Sequence, residues 1–65
     1  MEAYQQRVME EQSALHVKIT KLSDFIENKE TFRTLDPEDQ VLLHEQLGHM
    51  QAYDEVLRKR IARFK

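Results

Sequence analysis

The segment Leu35-Asp36-Pro37-Glu38-Asp39 carries the strongest structural signal of this 65-residue chain, the start of a helix. An aspartate side chain accepts hydrogen bonds from the free N–H groups of a first helical turn, so Asp36 suits the N-cap. Pro37 suits the first helical position, where its missing N–H leaves no bond unmade. Glu38 and Asp39 then face the positive end of the helix dipole. Because the chain has one proline, the sequence predicts its main break just before this helix.

Apolar residues on both sides of this segment recur at the three- and four-residue spacings of helices that pack along a seam. The period predicts one domain with a helix over residues 2–28, a connection over residues 29–36 and a helix over residues 37–64. Because the connection is short, the two helices are predicted to be antiparallel neighbours. The predicted fold class is therefore all-α, a coiled-coil-like two-helix hairpin that assembles into a homo-oligomeric helical bundle.

Three features are not explained by the two apolar seams alone. Gln12 and Asp54 occupy seam positions, and polar residues there fix register and partner choice at some loss of stability. Gly48 lies in the middle of the second helix, and we interpret it as a point where two helices approach closely. Phe32 and Leu35 lie in the connection and are predicted to fold back over the end of the core.

Size and composition predict contacts between copies of the chain. There is no cysteine for a disulfide, and no apolar run approaches the roughly 20 residues of a membrane span. Area scaling gives about 4,400 Å² for a compact monomer of this mass, so folding buries only about 60% of the unfolded surface. A second copy would supply the missing burial. The residues predicted to contact other copies are apolar: Leu15, Ile19, Leu22, Leu42, Leu47, Met50, Leu57 and Ile61.

The histidines and serines do not form a recognisable catalytic or metal site. His44 and His49 are five residues apart, so their side chains diverge by about 140° around a helix, unlike those of the zinc-binding His-Glu-x-x-His pattern. Ser13 and Ser23 have no histidine and acid on the same helix face for nucleophilic catalysis. We predict that the protein is not an enzyme and uses neither a metal nor a cofactor.

The last eight residues hold five bases and no acid. These bases are Arg58, Lys59, Arg60, Arg63 and Lys65. One interpretation is that they only complement the negative end of the helix dipole. The other is an anion site, because an antiparallel hairpin brings Tyr4 and Arg7 near Arg60 and Phe64. Guanidinium groups would bind phosphates and Tyr4 would stack on a base. The net charge of −2 and the lack of a groove-reading pattern argue against duplex nucleic acid as a partner.

Two patterns go beyond what helix packing requires: Tyr4-Gln5-Gln6-Arg7-Val8, and Met50-x-x-Tyr53-x-x-Val56-Leu57-x-x-Arg60-Ile61. Over nearly its whole length the chain resembles a family of very small phage and prophage proteins, related to an uncharacterised crAss-like phage protein. The resemblance implies a phage setting, in which small helical proteins often counter host defence. Some of these are sponges that trap cyclic nucleotide signals in oligomers, and others block a host enzyme.

Three functions follow as alternatives. The first is a counter-defence sponge, a homo-oligomer that sequesters a phosphate-bearing (cyclic) nucleotide at Tyr4, Arg7, Arg60 and Arg63. The second is a hairpin that blocks a host defence protein through its spare apolar face. The third is a purely structural oligomerisation module. In each case the expected location is the cytoplasm of the host cell, with no membrane partner.

Overall fold

The computed structural model describes residues 2–64, and three helices account for most of them. α1 spans Ala3–Glu27, α2 spans Lys29–Phe32 and α3 spans Pro37–Ala62. α1 and α3 pack along each other in a rod that measures 46 × 15 × 14 Å. The all-α hairpin is therefore confirmed for the single chain. α1 is one residue shorter than predicted at each end, and α3 begins at the predicted residue and ends two residues early. Assembly of the hairpin with further copies stays a prediction.

The start of α3 has the predicted cap. The Asp36 carboxylate accepts a hydrogen bond from the backbone N–H of Glu38 at 2.9 Å, and Pro37 occupies the first turn. Glu38 and Asp39 are the acids of that turn. The residue at which α3 begins therefore follows from this short segment alone.

The connection differs from the irregular segment predicted over residues 29–36, because it contains the single turn α2. The side chain of Asn28 caps this turn by accepting from the backbone N–H of Thr31 at 3.5 Å. The hydroxyl of Thr34 donates to the carbonyl oxygen of Thr31 at 2.6 Å, just after the turn ends. Four residues are too few for a helical period to show in the sequence, and only the Asn28 cap could have indicated α2.

Aromatic rings close this end of the hairpin. Phe32 packs edge to face against Phe25, with 6.5 Å between ring centroids, and against His44 at 5.4 Å. Leu35 is partly buried, and its carbonyl oxygen accepts from the side-chain amide of Gln40 at 2.9 Å. Phe32 and Leu35 are thus partly buried here, as expected for residues that cover the end of the core.

The hydrophobic core lies between α1 and α3 and is small. Val8, Leu15 and Leu57 are the buried apolar residues of the described chain, and Leu57 is only 1% exposed. Four partly buried residues pack against them: Ile19, Met50, Ile61 and Phe64. The core is therefore a thin layer along one helix–helix contact, without a second layer behind it.

Most residues predicted to contact other copies lie within the hairpin itself. Leu15 and Leu57 belong to its core, and Ile19, Met50 and Ile61 pack against that core. Leu22 and Leu47 are partly buried. Leu42 differs, because 52% of it is exposed on α3. Contacts of these eight residues with other copies stay a prediction. Leu42 has the largest exposed fraction of the eight and therefore the most surface available for such a contact.

The two polar seam residues bond to each other across the hairpin. The side-chain amide of Gln12 donates to Oδ1 of Asp54 at 3.0 Å, and Nε of Arg58 donates to Oδ2 of Asp54 at 2.8 Å. The hydrogen bond from Arg58 and then that from Gln12 hold the pKa of Asp54 below its ordinary value, against a smaller opposing effect of burial. Because this bond forms only when Gln12 and Asp54 lie at the same level of the hairpin, it favours the observed antiparallel register.

Asp54→Asn is expected to weaken the dependence of stability on acid pH. Because folding lowers the pKa of Asp54 from 3.8, its contribution is complete above that value and is lost as the pH falls through the folded pKa. Asparagine can still accept from Gln12 but does not titrate. Between about pH 5 and about pH 2, urea denaturation followed by circular dichroism should show a smaller loss of stability for the variant than for the wild type.

Glu55→Gln is the matched control for this experiment. Glu55 forms an exposed ion pair with Lys59 at 3.3 Å, and exposed pairs contribute little. The control should therefore follow the wild-type pH profile. Parallel profiles for the wild type and Asp54→Asn would contradict the assignment of acid sensitivity to Asp54.

Gly48 does not mark a close approach within the hairpin, contrary to its interpretation from the sequence. It is exposed, and a Cβ atom added to it would have no neighbouring atom within 4 Å. The sequence pattern shows where a glycine lies in the helix but not which side of the helix faces a neighbour.

Gly48→Ala is therefore expected to stabilise the protein. Alanine in a helix interior is favoured over glycine by about 0.8–1 kcal/mol. In a domain of this size such a gain raises the melting temperature by roughly 4–8 °C, measurable by thermal circular dichroism. A lower melting temperature would show that Gly48 lies against another copy in the assembly.

Candidate functional site

The first turn of α1 and the last turn of α3 meet at the end of the hairpin opposite α2. Tyr4 and Phe64 pack edge to face there, with 5.9 Å between ring centroids and 82° between ring planes. Phe64 is partly buried and packs against the core, whereas Tyr4 is 51% exposed. One ring is thus anchored, and the other offers an open face to a ligand.

A cavity of about 260 Å³ opens beside these rings and is lined by Tyr4, Arg60, Arg63 and Phe64. The structure thus brings together three of the four residues predicted to bind a ligand. Arg7 is exposed, lies about one turn further along α1 and does not line the cavity. Its part in binding stays a prediction. Phe64, which lines the cavity, was expected near this end but not among the ligand-binding residues.

The basic C-terminal residues fall into two groups. Arg58 pairs with Asp54 at 2.8 Å and Lys59 with Glu55 at 3.3 Å, each to an acid one turn earlier. Across residues 2–64, by contrast, no acid lies within ion-pair distance of Arg60 or Arg63 (Lys65 is outside the described residues). The cavity is therefore lined by those two guanidinium groups of the cluster that have no acidic partner in the described chain.

The positions of Arg60 and Arg63 also suit the simpler interpretation of the basic cluster. Arg60 lies in the last turn of α3 and Arg63 is its C-cap, where positive charge complements the helix dipole. That interpretation accounts for the charges but assigns no role to the exposed Tyr4 ring beside them. An anion site uses both the charges and the ring.

Gln5 is a buried polar residue that the sequence interpretation missed. It is 8% exposed, and its side-chain oxygen accepts from the backbone N–H of Glu2 at 3.0 Å. This bond fixes the first turn of α1, one residue after Tyr4. The spacing of Glu2 and Gln5 is that of a capping box, and it could have indicated this role.

Within the described residues, the histidines form no metal site and the helices no membrane span. Within residues 2–64 no three or more histidines, aspartates and glutamates are grouped to hold a metal ion. His44 packs on Phe32, whereas His49 lies 3.6 Å from Glu45, so the two histidines have separate neighbours. In the same range, each helix is too short or too polar to cross a membrane.

Comparison with known proteins gives two matches. The family model Sequestin matches residues 2–63. The chain is also 48% identical over 65 residues, the full length of both chains, to an uncharacterised 7.5 kDa protein of the denB-rIIB intergenic region of Enterobacteria phage T4. No solved structure matches. The resemblance to small phage proteins is confirmed, while the relation to a crAss-like phage protein stays a prediction. With nearly all of its length matched, the chain belongs to the Sequestin family.

Proposed function

We propose that this chain is a phage counter-defence protein that acts without catalysis, as a homo-oligomer that sequesters a phosphate-bearing nucleotide signal, in particular a cyclic one. The family description suggests sequestration, and the T4 relative supplies the phage setting. Neither specifies the ligand. The choice of a nucleotide rests on the chemistry of the cavity.

The observation that carries the proposal is the position of two arginines, which have no acidic partner within residues 2–64, beside two aromatic rings. Arg60 and Arg63 present planar donors that bind phosphate oxygens in pairs. The exposed ring of Tyr4 provides a surface on which a base can stack, and Phe64 holds that ring from the side. A nucleotide carries the two matching parts, a phosphate and a flat base.

The lining of the cavity suits retention rather than conversion of the ligand. Among the four residues that line it, none is a carboxylate or an imidazole, and only the Tyr4 hydroxyl could act as a general acid or base. The cavity is also open, and its volume of 260 Å³ is just below the roughly 300–1,000 Å³ of small-molecule pockets. One chain therefore accommodates a phosphate and part of a base, and the rest of a ligand extends beyond it.

Calorimetry against cyclic dinucleotides, larger cyclic oligonucleotides and ADP-ribose derivatives tests the proposal. We expect micromolar or tighter binding of at least one ligand, which chromatography recovers unchanged after heat denaturation of the protein. Absence of binding across this panel at micromolar protein would contradict nucleotide sequestration. Recovery of a cleaved ligand would contradict the absence of catalysis.

A further inference from the structure

α3 carries a second heptad row in addition to the row that packs on α1. Its members follow one another at alternating steps of four and three residues, and every one of them is exposed. We call this row the second stripe; it consists of Leu42, Gln46, His49, Tyr53, Val56, Arg60 and Arg63. Its apolar members remain largely open, with exposed fractions of 52% for Leu42, 45% for Tyr53 and 51% for Val56. A heptad row is the pattern with which one helix packs against another.

The exposed area of the chain matches what a dimer needs. The molecule exposes 5205 Å². A compact monomer of 7.8 kDa would expose about 4,400 Å², so about 800 Å² is in excess. Each partner buries about 800 Å² in an interface of standard size. The small core agrees with this excess, because the hairpin alone buries only three apolar residues.

We propose that the second stripe binds the second stripe of another copy of this chain, with the two α3 helices parallel. In that arrangement Leu42, Tyr53 and Val56 each meet their own equivalent and form three apolar layers. An antiparallel pairing centred on Gln51 sets Leu42 against Arg60 and Gln46 against Val56, so it buries apolar side chains against polar ones. A pairing shifted by half a heptad sets Tyr53 against Val56 but leaves Leu42 without an apolar partner. The parallel pairing forms the most apolar layers and is therefore favoured.

The parallel pairing also makes the ligand site a shared one, and this step rests on the proposed function. The second stripe ends at Arg60 and Arg63, which line the cavity. Two parallel copies therefore bring four guanidinium groups to one end of the dimer. In this arrangement the partner subunit's Arg60 completes each cavity. The guanidinium groups repel one another, and a polyanion bound between them removes that repulsion. A phosphate-rich ligand is then expected to tighten the dimer.

A single cysteine tests the pairing without any ligand. The wild type has no cysteine, so a disulfide in a single-cysteine variant must join two chains. Val56→Cys should form disulfide-linked dimers under mild oxidation, because a parallel dimer places position 56 beside its equivalent. Val17→Cys is the matched control, since Val17 is a valine of nearly equal exposure, 50%, on α1. The control should cross-link at least tenfold more slowly.

Two results would overturn the inference. One is that Val56→Cys cross-links no faster than Val17→Cys. The other is that disulfides form between His49→Cys and Tyr53→Cys chains in a mixture while Val56→Cys stays monomeric, which is the antiparallel signature. If Val56→Cys cross-links but no nucleotide binds, the pairing stands and the proposed function fails.

The ligand coupling is tested with inorganic pyrophosphate as the probe. Light scattering should show that pyrophosphate lowers the dimer dissociation constant of the wild type at least threefold but leaves that of Arg60→Gln/Arg63→Gln unchanged. Val56→Asp should be monomeric with wild-type helicity, because Val56 is exposed in the hairpin. Equal effects of pyrophosphate on the wild type and the double variant would overturn the shared site.

Discussion

Leu57→Ala is expected to unfold the hairpin or to leave it only marginally folded. Leu57 is 1% exposed and lies at the centre of a core with two other buried apolar residues, Val8 and Leu15. Truncating a buried leucine to alanine typically lowers stability by about 2–5 kcal/mol. At 0.05–0.15 kcal/mol per residue, a chain of this length has roughly 3–10 kcal/mol in total. The substitution therefore removes a large part of the free energy of unfolding.

The measurement is thermal and urea denaturation followed by circular dichroism at the helical band. Val41→Ala is the control, because Val41 lies on the same helix, is 64% exposed and should change stability by no more than about 0.5 kcal/mol. A variant at Leu57 that melts within a few degrees of the wild type would show that this core does not hold the hairpin together. Stability would then have to come mainly from contacts between copies.

The fold could be predicted because its determinants are local and periodic. Asp36 and Pro37 specify a helix start through backbone chemistry that needs no tertiary information. The apolar period placed Gln12 and Asp54 in the seam, but their hydrogen bond to each other was not predicted, because periodicity does not specify which levels of two helices lie opposite each other. The sequence pattern was too short to indicate α2, and it did not show that Gly48 has no close neighbour within the hairpin.

The candidate site was predictable only in part, because periodicity specifies faces of helices but not how their ends align. A shift of one turn between α1 and α3 decides whether Tyr4 or Arg7 lies beside the last turn of α3. That alignment depends on how much chain α2 and the connection take up, which the sequence did not reveal. The burial of Gln5 has no apolar signature, because Gln5 bonds to the backbone of Glu2, and the capping-box spacing is its one signal in the sequence.

Arg60→Gln/Arg63→Gln is expected to weaken nucleotide binding by two to four orders of magnitude while leaving the hairpin folded. A hydrogen bond to a charged group typically contributes about 1.5–3 kcal/mol. Loss of two such bonds, at about 1.4 kcal/mol per tenfold change in affinity, gives the stated range. Both side chains are exposed and have no acidic partner among the described residues, so no ion pair of the fold is broken. Calorimetry measures the affinity, and circular dichroism checks the fold.

Lys18→Gln/Lys21→Gln is the matched control, since it also removes two exposed positive charges but lies at least fourteen residues, or about 21 Å along α1, from Tyr4. If the arginines bind phosphate, only the Arg60/Arg63 variant loses affinity, and counter-defence activity in infected cells falls with it. If they serve only the dipole of α3, both double variants keep their activity, and the Arg60/Arg63 variant shows a small loss of stability that disappears at high salt. Because one interpretation predicts a selective loss of affinity and the other only a small, salt-sensitive loss of stability, these two variants decide between an anion site and a charged helix end.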